Sequence, residues 1–425
     1  MALVTKLRGL IPNNLVNTFW HYPIALFAAL RYGFPAKKLT LIGVTGTDGK
    51  TTTTYIINHL LKKAGYKTAM ITSVLAEIAG KTSNTGFHVT SPHPWQVQKY
   101  LAEAVKSGVT HAILEVTSHA LDQHRFAGCS FRYGIVTNIK PDHLDYHKTY
   151  DNYFHSKSKL LLGAQKAVLN KDDQSFNRLN TLLTGKDIVT YSIKEQADFT
   201  GKKIIQTSIP VTLPGDYNLS NILAATAVVN NIGLSIDEVS KYLPSFKAVP
   251  GRFNEVDIKK DFRVVIDFAH TPYGLQALLT ALRNQTQARI IAVFGCAAER
   301  GADRREMGRV GGKLADITII TAEDPRFEGV EKISAVIAGW ADKAGAEELS
   351  SKQLGDSSKK DKHVYTKIAD RQGAINAAID IAKPGDIIVL CGKGHEQSMN
   401  FRGVEYPWDE NKAVQKALTK RYGSK

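Results

Sequence analysis

The residues best placed to do chemistry are gathered in Gly43-Val44-Thr45-Gly46-Thr47-Asp48-Gly49-Lys50-Thr51, which runs on through Thr52 and Thr53 to Thr54. An apolar, β-favouring run, Leu39-Thr40-Leu41-Ile42, precedes it. Tyr55-Ile56-Ile57-Asn58-His59-Leu60-Leu61 follows with apolar residues at helical spacing. Strand, glycine-rich turn, Gly-Lys-Thr and helix make a phosphate-binding loop, in which backbone N–H groups and the helix N-terminus cradle anionic oxygens. Lys50 would reach the terminal phosphates of ATP and the Thr51 hydroxyl would coordinate Mg²⁺. Thr45, Gly46, Thr47, Asp48, Gly49 and Thr52 complete the predicted nucleotide loop. The common form of the motif has glycine where this chain has Val44, and here the glycines stand at 43, 46 and 49.

Further polar residues close apolar runs. Glu115 ends His111-Ala112-Ile113-Leu114, and Asn138, Asp142 and His143 follow Tyr133-Gly134-Ile135-Val136-Thr137, with His147 and Lys157 downstream. A carboxylate at a strand end beside a phosphate loop is a natural Mg²⁺ ligand. Asp267-Phe268-Ala269-His270-Thr271-Pro272, Glu323-Asp324-Pro325-Arg326 and Gly392-Lys393-Gly394-His395-Glu396 close three later runs in the same way.

The elements that must position these groups alternate strand-like and helix-like patterns, which predicts a doubly wound α/β sheet with ligands at the carboxyl ends of the strands. Strands are expected near 39–42, 68–71, 111–116, 133–137 and 167–169, and a helix over 95–107. A Pro/Gly break from Tyr242 to Phe253 separates a second α/β pattern, with strands near 262–267, 289–295, 317–321 and 386–390. The expected organisation is an apolar and basic N-terminal segment (1–38), a central ATP-binding domain (39–247) and a C-terminal Rossmann-like α/β domain (248–425). Residues 345–363, rich in Ser, Lys and Asp, read as a solvated loop.

Over 425 residues, 43% hydrophobic and 22% charged content describes a globular chain long enough for more than one core. Three widely spaced cysteines exclude a disulfide framework or a cysteine-built zinc site and suit a reducing cytoplasm. A formal charge of +15 favours anionic partners. The lysines are scattered, however, with no arginine-rich arm and no aromatic–basic interleaving, which argues against nucleic acid. The stretch from Leu15 to Leu30 is strongly apolar, but His21 and Pro23 interrupt it and it falls short of the roughly 20 apolar residues of a membrane span. Two readings stay open for it: a helix packed on the body or on a second subunit, or an interfacial helix giving peripheral membrane contact.

Taken together, these motifs resemble the Mur ligases, ATP-dependent enzymes that add amino acids to the peptide of the cell-wall precursor, and among them most closely those that add the third residue. The likeness rests on the loop at 43–52, Glu115-Val116-Thr117-Ser118-His119-Ala120-Leu121, Thr137-Asn138, Asp142-His143-Leu144-Asp145-Tyr146-His147, and the motifs beginning at Asp267 and Gly392. It implies that ATP phosphorylates the D-glutamate carboxylate of a muramoyl-peptide acceptor and that the α-amine of a diamino acid attacks the acyl phosphate. Lys50, Glu115, His143 and Lys157 become the catalytic candidates. Thr51, Glu115, His143 and a carbamylated Lys157 become the metal ligands. Asn138, Arg252, Asp267 and His270 become further ATP contacts. Thr90, Ser91, Thr117, Gln123 and Arg125 match acceptor positions, while Arg300, Asp324, Arg326, Gly392 and Glu396 match the pocket that reads diaminopimelate.

Three departures qualify that likeness. Glu323-Asp324-Pro325-Arg326 stands where the family has Asp-Asn-Pro-Arg, an extra acid that leaves lysine open as the amino acid. Ala297-Ala298 replaces a glycine pair beside Arg300. The 38 residues before the central domain are also too few for the family's uridine-diphosphate-holding domain, so a lipid-linked or free muropeptide acceptor stays open. A folylpolyglutamate-synthase-like ligase and a non-catalytic, nucleotide-binding scaffold are the competing readings.

Overall fold

The computed structural model describes residues 13–84, 91–201, 210, 213–298, 305–356 and 363–423. Contacts divide the chain into two compact units, Met1–Pro210 with Asn218–Phe246, and Val211–Tyr217 with Lys247–Lys425.

The first unit is built on a nine-stranded sheet. Its strands are β1 (Thr40–Thr45), β2 (Thr68–Ile71), β3 (Leu75–Ile78), β4 (Lys81–Asn84), β5 (His111–Glu115), β6 (Phe131–Val136), β7 (Lys166–Asn170), β8 (Asp187–Ser192) and β9 (Phe199–Thr200), in the order β4-β3-β2-β5-β1-β6-β7-β8-β9. All neighbours pair in parallel except β2–β3 and β3–β4. β1 lies between β5 and β6, with Val44 level with both Glu115 and Ile135, so the loops leaving all three strands open on one edge. Leu41, Val44, Ala112 and Ile113 are fully buried, as continuous apolar strands covered on both faces require.

In the second unit β10 (Asn254–Glu255), β11 (Arg263–Asp267), β12 (Ile290–Phe294), β13 (Ile317–Ile320), β14 (Glu347–Glu348), β15 (Val364–Lys367) and β16 (Ile387–Cys391) form a sheet ordered β10-β11-β16-β12-β13-β15-β14, with only β10 antiparallel. The two-residue period sorts its side chains cleanly. Ile290, Ala292 and Phe294 face a core with the helices Pro272–Arg283, Met307–Leu314 and Val330–Lys343, whereas Ile291 and Val293 face Arg371–Ile381 and Glu410–Tyr422. Helices therefore cover both faces, the doubly wound arrangement the sequence predicts. A separate hairpin pairs β17 (Ser398–Phe401) with β18 (Val404–Pro407).

Within 345–363 the expected solvated loop is partly built in. Glu347 and Glu348 pair with β15, and Leu354 is fully buried against the second core. Two leucines, Leu349 and Leu354, five apart among Ser, Lys and Asp, gave no periodic signal. Near the N-terminus, a short helix (Asn13–Val16), a π-turn (Asn17–His21) and the helix Tyr22–Arg31 run on from one another. Among the described residues no helix is long and apolar enough to cross a membrane.

Candidate active site

The glycine-rich loop of the first unit joins β1 to the helix Lys50–Lys63 and is wedged against its neighbours. At Gly46 (φ +150°) a Cβ would fall 1.8 Å from Thr137 Oγ1, and at Gly49 (φ +84°) 2.3 Å from Asn221 Oδ1, so both positions demand glycine. Thr137 Oγ1 donates to Asp48 O at 2.6 Å. Asn138 receives Asp48 N–H at 3.0 Å and donates its amide to Asp48 O at 3.1 Å. Thr47 Oγ1 meets Lys140 O at 3.1 Å and Tyr153 Oη at 3.0 Å. Asn138 thus holds the shape of the loop through the backbone of Asp48. Thr45 is fully buried at the end of β1, and Thr52 is buried in the first turn of the helix.

Two lysines from distant elements converge on one carbonyl. Lys50 Nζ donates to Gly46 O at 3.0 Å and to Thr47 O at 2.9 Å, and Lys157 Nζ, from the helix Tyr150–Gly163, donates to the same Gly46 O at 2.6 Å. Lys157 is 2% exposed and lies 4.7 Å from the Tyr153 ring centroid. Burial first, and the Lys50 charge second, push its ammonium well below the ordinary lysine range. Thr51 Oγ1 donates to Glu115 Oε2 at 3.0 Å, and Ser73 adds its N–H at 3.1 Å and its hydroxyl at 3.2 Å to the same oxygen.

An open pocket is lined by Gly46, Lys50, Thr117, His119, His143 and Lys157, among others. His143 sits at φ +53°, its backbone N–H bonded to Asp142 Oδ1 at 2.9 Å, its Nε2 3.5 Å from Asp142 Oδ2 and its ring edge-on to His119 at 4.8 Å. His147 Nε2 bonds Ser118 Oγ at 3.0 Å. Burial, then the neighbouring His119, lowers the imidazole of His147 to about 4. His119 is also lowered, chiefly by burial, with Asp145 opposing. Among the described residues no three His, Cys, Asp or Glu side chains cluster for a metal. The oxygen pair of Thr51 and Glu115, each under 5% exposed, is the donor set present, and hard oxygen ligands of this kind suit Mg²⁺ alongside phosphate oxygens.

The four described acceptor candidates form one network. Ser91 Oγ bonds Thr117 Oγ1 at 3.0 Å. Arg125 donates through Nη1 to Ser91 O and through Nε and Nη2 to Gln123 Oε1 at 3.0 and 2.8 Å. Thr117 also caps the helix Ser118–Asp122 by accepting from Ala120 N–H. Thr90 and Arg300 lie outside the described residues.

In the second unit Arg252 stacks over Phe268 at 4.3 Å, and Phe268 lies 4.5 Å from the His270 ring and 5.2 Å from that of His395. Asp267 accepts from Phe253 N–H and Ala269 N–H, both at 2.7 Å. A Cβ at Gly251 (φ +67°) would meet His395 N at 2.2 Å, which keeps this turn tight. At the other candidates, Lys393 is fully buried with its Nζ 2.9 Å from Asp324 Oδ1 and 2.7 Å from Glu396 Oε2. Asp324 Oδ1 also accepts Asn400 N–H at 3.0 Å. Gly392 (φ +100°) is pressed against Glu323, whose Oε2 would lie 2.6 Å from a Cβ there. Arg326, half-buried at φ +48°, donates its N–H to Asn400 O at 3.0 Å.

The sequence reading missed several participants. His119 sits inside a motif already singled out and could have been found there. Ser73 and Tyr153 carry no local signal. Asn221 reaches the loop from 168 residues away through Thr53, and Lys393, though it stands in a motif already quoted, shows its role only once its two carboxylates are brought to it.

The family described as the Mur ligase middle domain matches residues 44–229, and the Mur ligase glutamate ligase domain matches residues 251–394. A UDP-N-acetylmuramoyl-L-alanyl-D-glutamate–2,6-diaminopimelate ligase 1 of Clostridium acetobutylicum is 34% identical, over 97% of this chain and 86% of the relative. The ligase of the same description from Synechococcus elongatus is 38% identical, over 93% of this chain and 79% of the relative. A solved structure of such a diaminopimelate ligase superposes with a TM-score of 0.58 at 27% identity, covering 90% of this chain and 79% of its own. An E. coli FolC chain in complex with ADP gives a TM-score of 0.65 at 18% identity, covering 93% and 94%, a likeness of fold.

Proposed function

The chain belongs to the Mur ligase family and is an ATP-dependent ligase, and from that premise we propose that it joins meso-diaminopimelate to the D-glutamate carboxylate of a muramoyl-L-alanyl-D-glutamate acceptor in peptidoglycan precursor synthesis. The names of its relatives support the substrates. The observation that carries the reading is the meeting of Lys50 and Lys157 on the Gly46 carbonyl, in a cavity that Thr117 links to the Ser91–Arg125 network.

A carboxylate oxygen of the acceptor attacks the γ-phosphorus and ADP leaves. The α-amine then attacks the acyl carbon, and phosphate departs as the amine proton is released. Phosphoryl transfer of this type needs chiefly positioning and charge neutralisation. Lys50 supplies a fixed cation, and Ser91, Thr117 and Arg125 orient the acceptor. Thr51 and Glu115 would hold a Mg²⁺ ion and His143 a second, and bound Mg²⁺ neutralises developing phosphate charge. Burial favours the neutral amine of Lys157, the form that adds to carbon dioxide. The new N–C bond gives a carbamate and releases a proton, so the neutral amine becomes an anion able to bind a cation. For the amino acid, the acid at Asp324 is already matched by Lys393. It therefore gives no reason to favour a more cationic substrate than diaminopimelate, whose distal carboxylate an arginine such as Arg326 suits.

The test is phosphate release from ATP and Mg²⁺ with UDP-N-acetylmuramoyl-L-alanyl-D-glutamate plus diaminopimelate, plus lysine, or with neither. Turnover requiring both acceptor and diaminopimelate is expected. Turnover with lysine alone would overturn the amino-acid assignment. Turnover only with a lipid-linked or free muropeptide would overturn the UDP-linked acceptor. No acceptor-dependent turnover with any of them would favour a non-catalytic scaffold.

A further inference from the structure

Residues 15–31 reverse the ordinary relation between side-chain size and burial. The positions turned inward are small or polar: Asn17, Ala25, Ala28 and Ala29 are buried, and Asn17 donates to Asp122 Oδ2 at 2.7 Å. The positions turned outward are large and apolar, with Phe19 75% exposed, Trp20 65%, Phe27 59% and Leu30 60%. Leu15, Phe19, Tyr22, Leu26 and Leu30 recur at three- and four-residue intervals and so form one continuous face, with Trp20 and Phe27 beside it. A helix of a water-soluble body points its apolar stripe at the core, and contiguous exposed apolar surface of this kind marks an interaction site. Covering the patch, rather than packing the helix, is what these large side chains are placed to do.

Charge identifies what covers it. Residues 13–47 contain Arg31, Lys37 and Lys38 and no aspartate or glutamate. All three cations are exposed at the carboxyl end of the helix, with Lys37 Nζ 4.9 Å from the Phe34 ring. The carboxylate that meets the helix, Asp122, lies on its inner face and pairs with Lys159 at 3.2 Å. A second copy of the chain docked on this face about a two-fold axis would present the same surface, and its residues 13–47 offer these cations no carboxylate. An anionic bilayer complements both the apolar face and its charged end, and Trp and Tyr beside such a face suit the headgroup region.

We propose that the outer face of Tyr22–Arg31 and the turn before it is a docking surface for an anionic phospholipid membrane, in which Phe19, Trp20, Phe27 and Leu30 enter the headgroup–acyl boundary and Arg31, Lys37 and Lys38 meet lipid phosphates. This holds whichever acceptor the enzyme uses.

The experiment is co-sedimentation of the full chain with vesicles of phosphatidylcholine alone, and of an equimolar mixture with phosphatidylglycerol, at low and raised salt. Binding to the mixed vesicles that weakens with salt is expected, together with a blue shift in emission that Trp20→Phe abolishes. The triple variant Phe19→Ser/Trp20→Ser/Leu30→Ser should stay in the supernatant while keeping the parent circular dichroism and ATP turnover. Replacing Arg31, Lys37 and Lys38 by Gln should weaken binding roughly a hundredfold. A chain that stays in the supernatant as a monomer overturns the proposal. So does one that sediments as a dimer in the ultracentrifuge and is made monomeric by the triple variant, and so does binding indifferent to both sets of substitutions.

Discussion

Lys393→Met removes a fully buried ammonium that lies 2.9 Å from Asp324 and 2.7 Å from Glu396. Methionine fills much of the same volume, so the loss is electrostatic rather than one of packing. Asp324, 4% exposed, then keeps its carboxylate in the interior without this counter-ion. Breaking a buried pair by deleting one partner costs about 3–5 kcal/mol. Asn400 N–H still reaches Asp324 Oδ1, and Glu396 lies nearer the surface, which places the expected loss at the lower end, about 3 kcal/mol. In a domain of this size such a loss lowers the melting temperature by roughly 6–12 °C. The assay is calorimetry or urea titration of parent and variant, together with kcat/KM for diaminopimelate and for lysine. Asp324→Asn is the companion: its amide oxygen still accepts from Lys393 and Asn400, so it should cost about 1–2 kcal/mol, the range for a weakened charged hydrogen bond, without changing which amino acid is preferred. A Lys393→Met protein as stable as the parent would refute the reasoning. An Asp324→Asn protein that switches its amino-acid preference would show that the acid at 324 faces the substrate rather than Lys393.

Thr51→Val, nearly isosteric, should leave the fold intact and lower turnover by roughly a hundredfold or more through lost Mg²⁺ and phosphate positioning, with the Mg²⁺ concentration for half-maximal rate raised; an unchanged Mg²⁺ dependence would count against Thr51 as a ligand. Gly46→Ala should abolish nucleotide binding in calorimetric titration, since its Cβ would overlap Thr137 Oγ1 at 1.8 Å, and Thr137→Ala in the same chain should restore it only in part because φ +150° still disfavours a side chain. The depressed imidazole of His147 binds its proton more weakly folded than unfolded, so stability is full above the unfolded value near 6.5 and falls as the pH drops towards about 4. Discounting for solvent screening, the fall is about 2 kcal/mol. His147→Asn should flatten that part of the stability–pH curve measured by urea unfolding.

The phosphate loop was legible in the sequence because its signals are local. Strand, glycine turn, Lys50, Thr51 and helix occupy one stretch, and Glu115 announces itself by closing an apolar run. The doubly wound class followed from the same alternation, and strands such as β2 and β13 fall where their residues pointed. Short or polar strands escaped. β14 is two glutamates, and β3, β4 and β15 lack an apolar run long enough to stand out, since pairing with a neighbour rather than their own pattern holds them in the sheet. What no local pattern encodes is which distant groups meet. Lys157 shares a carbonyl with Lys50 from 107 positions away, and the burial that weakens its hold on a proton exists only after the helix Tyr150–Gly163 is packed. Asp324 looked like an unspent charge until folding brought Lys393 to it across 69 residues. At the N-terminus the sequence specified an apolar helix with basic ends but left its orientation open. Tertiary packing decided it, because the neighbouring surface, with Gly128 against Ala29, leaves room for alanines and none for phenylalanine or tryptophan.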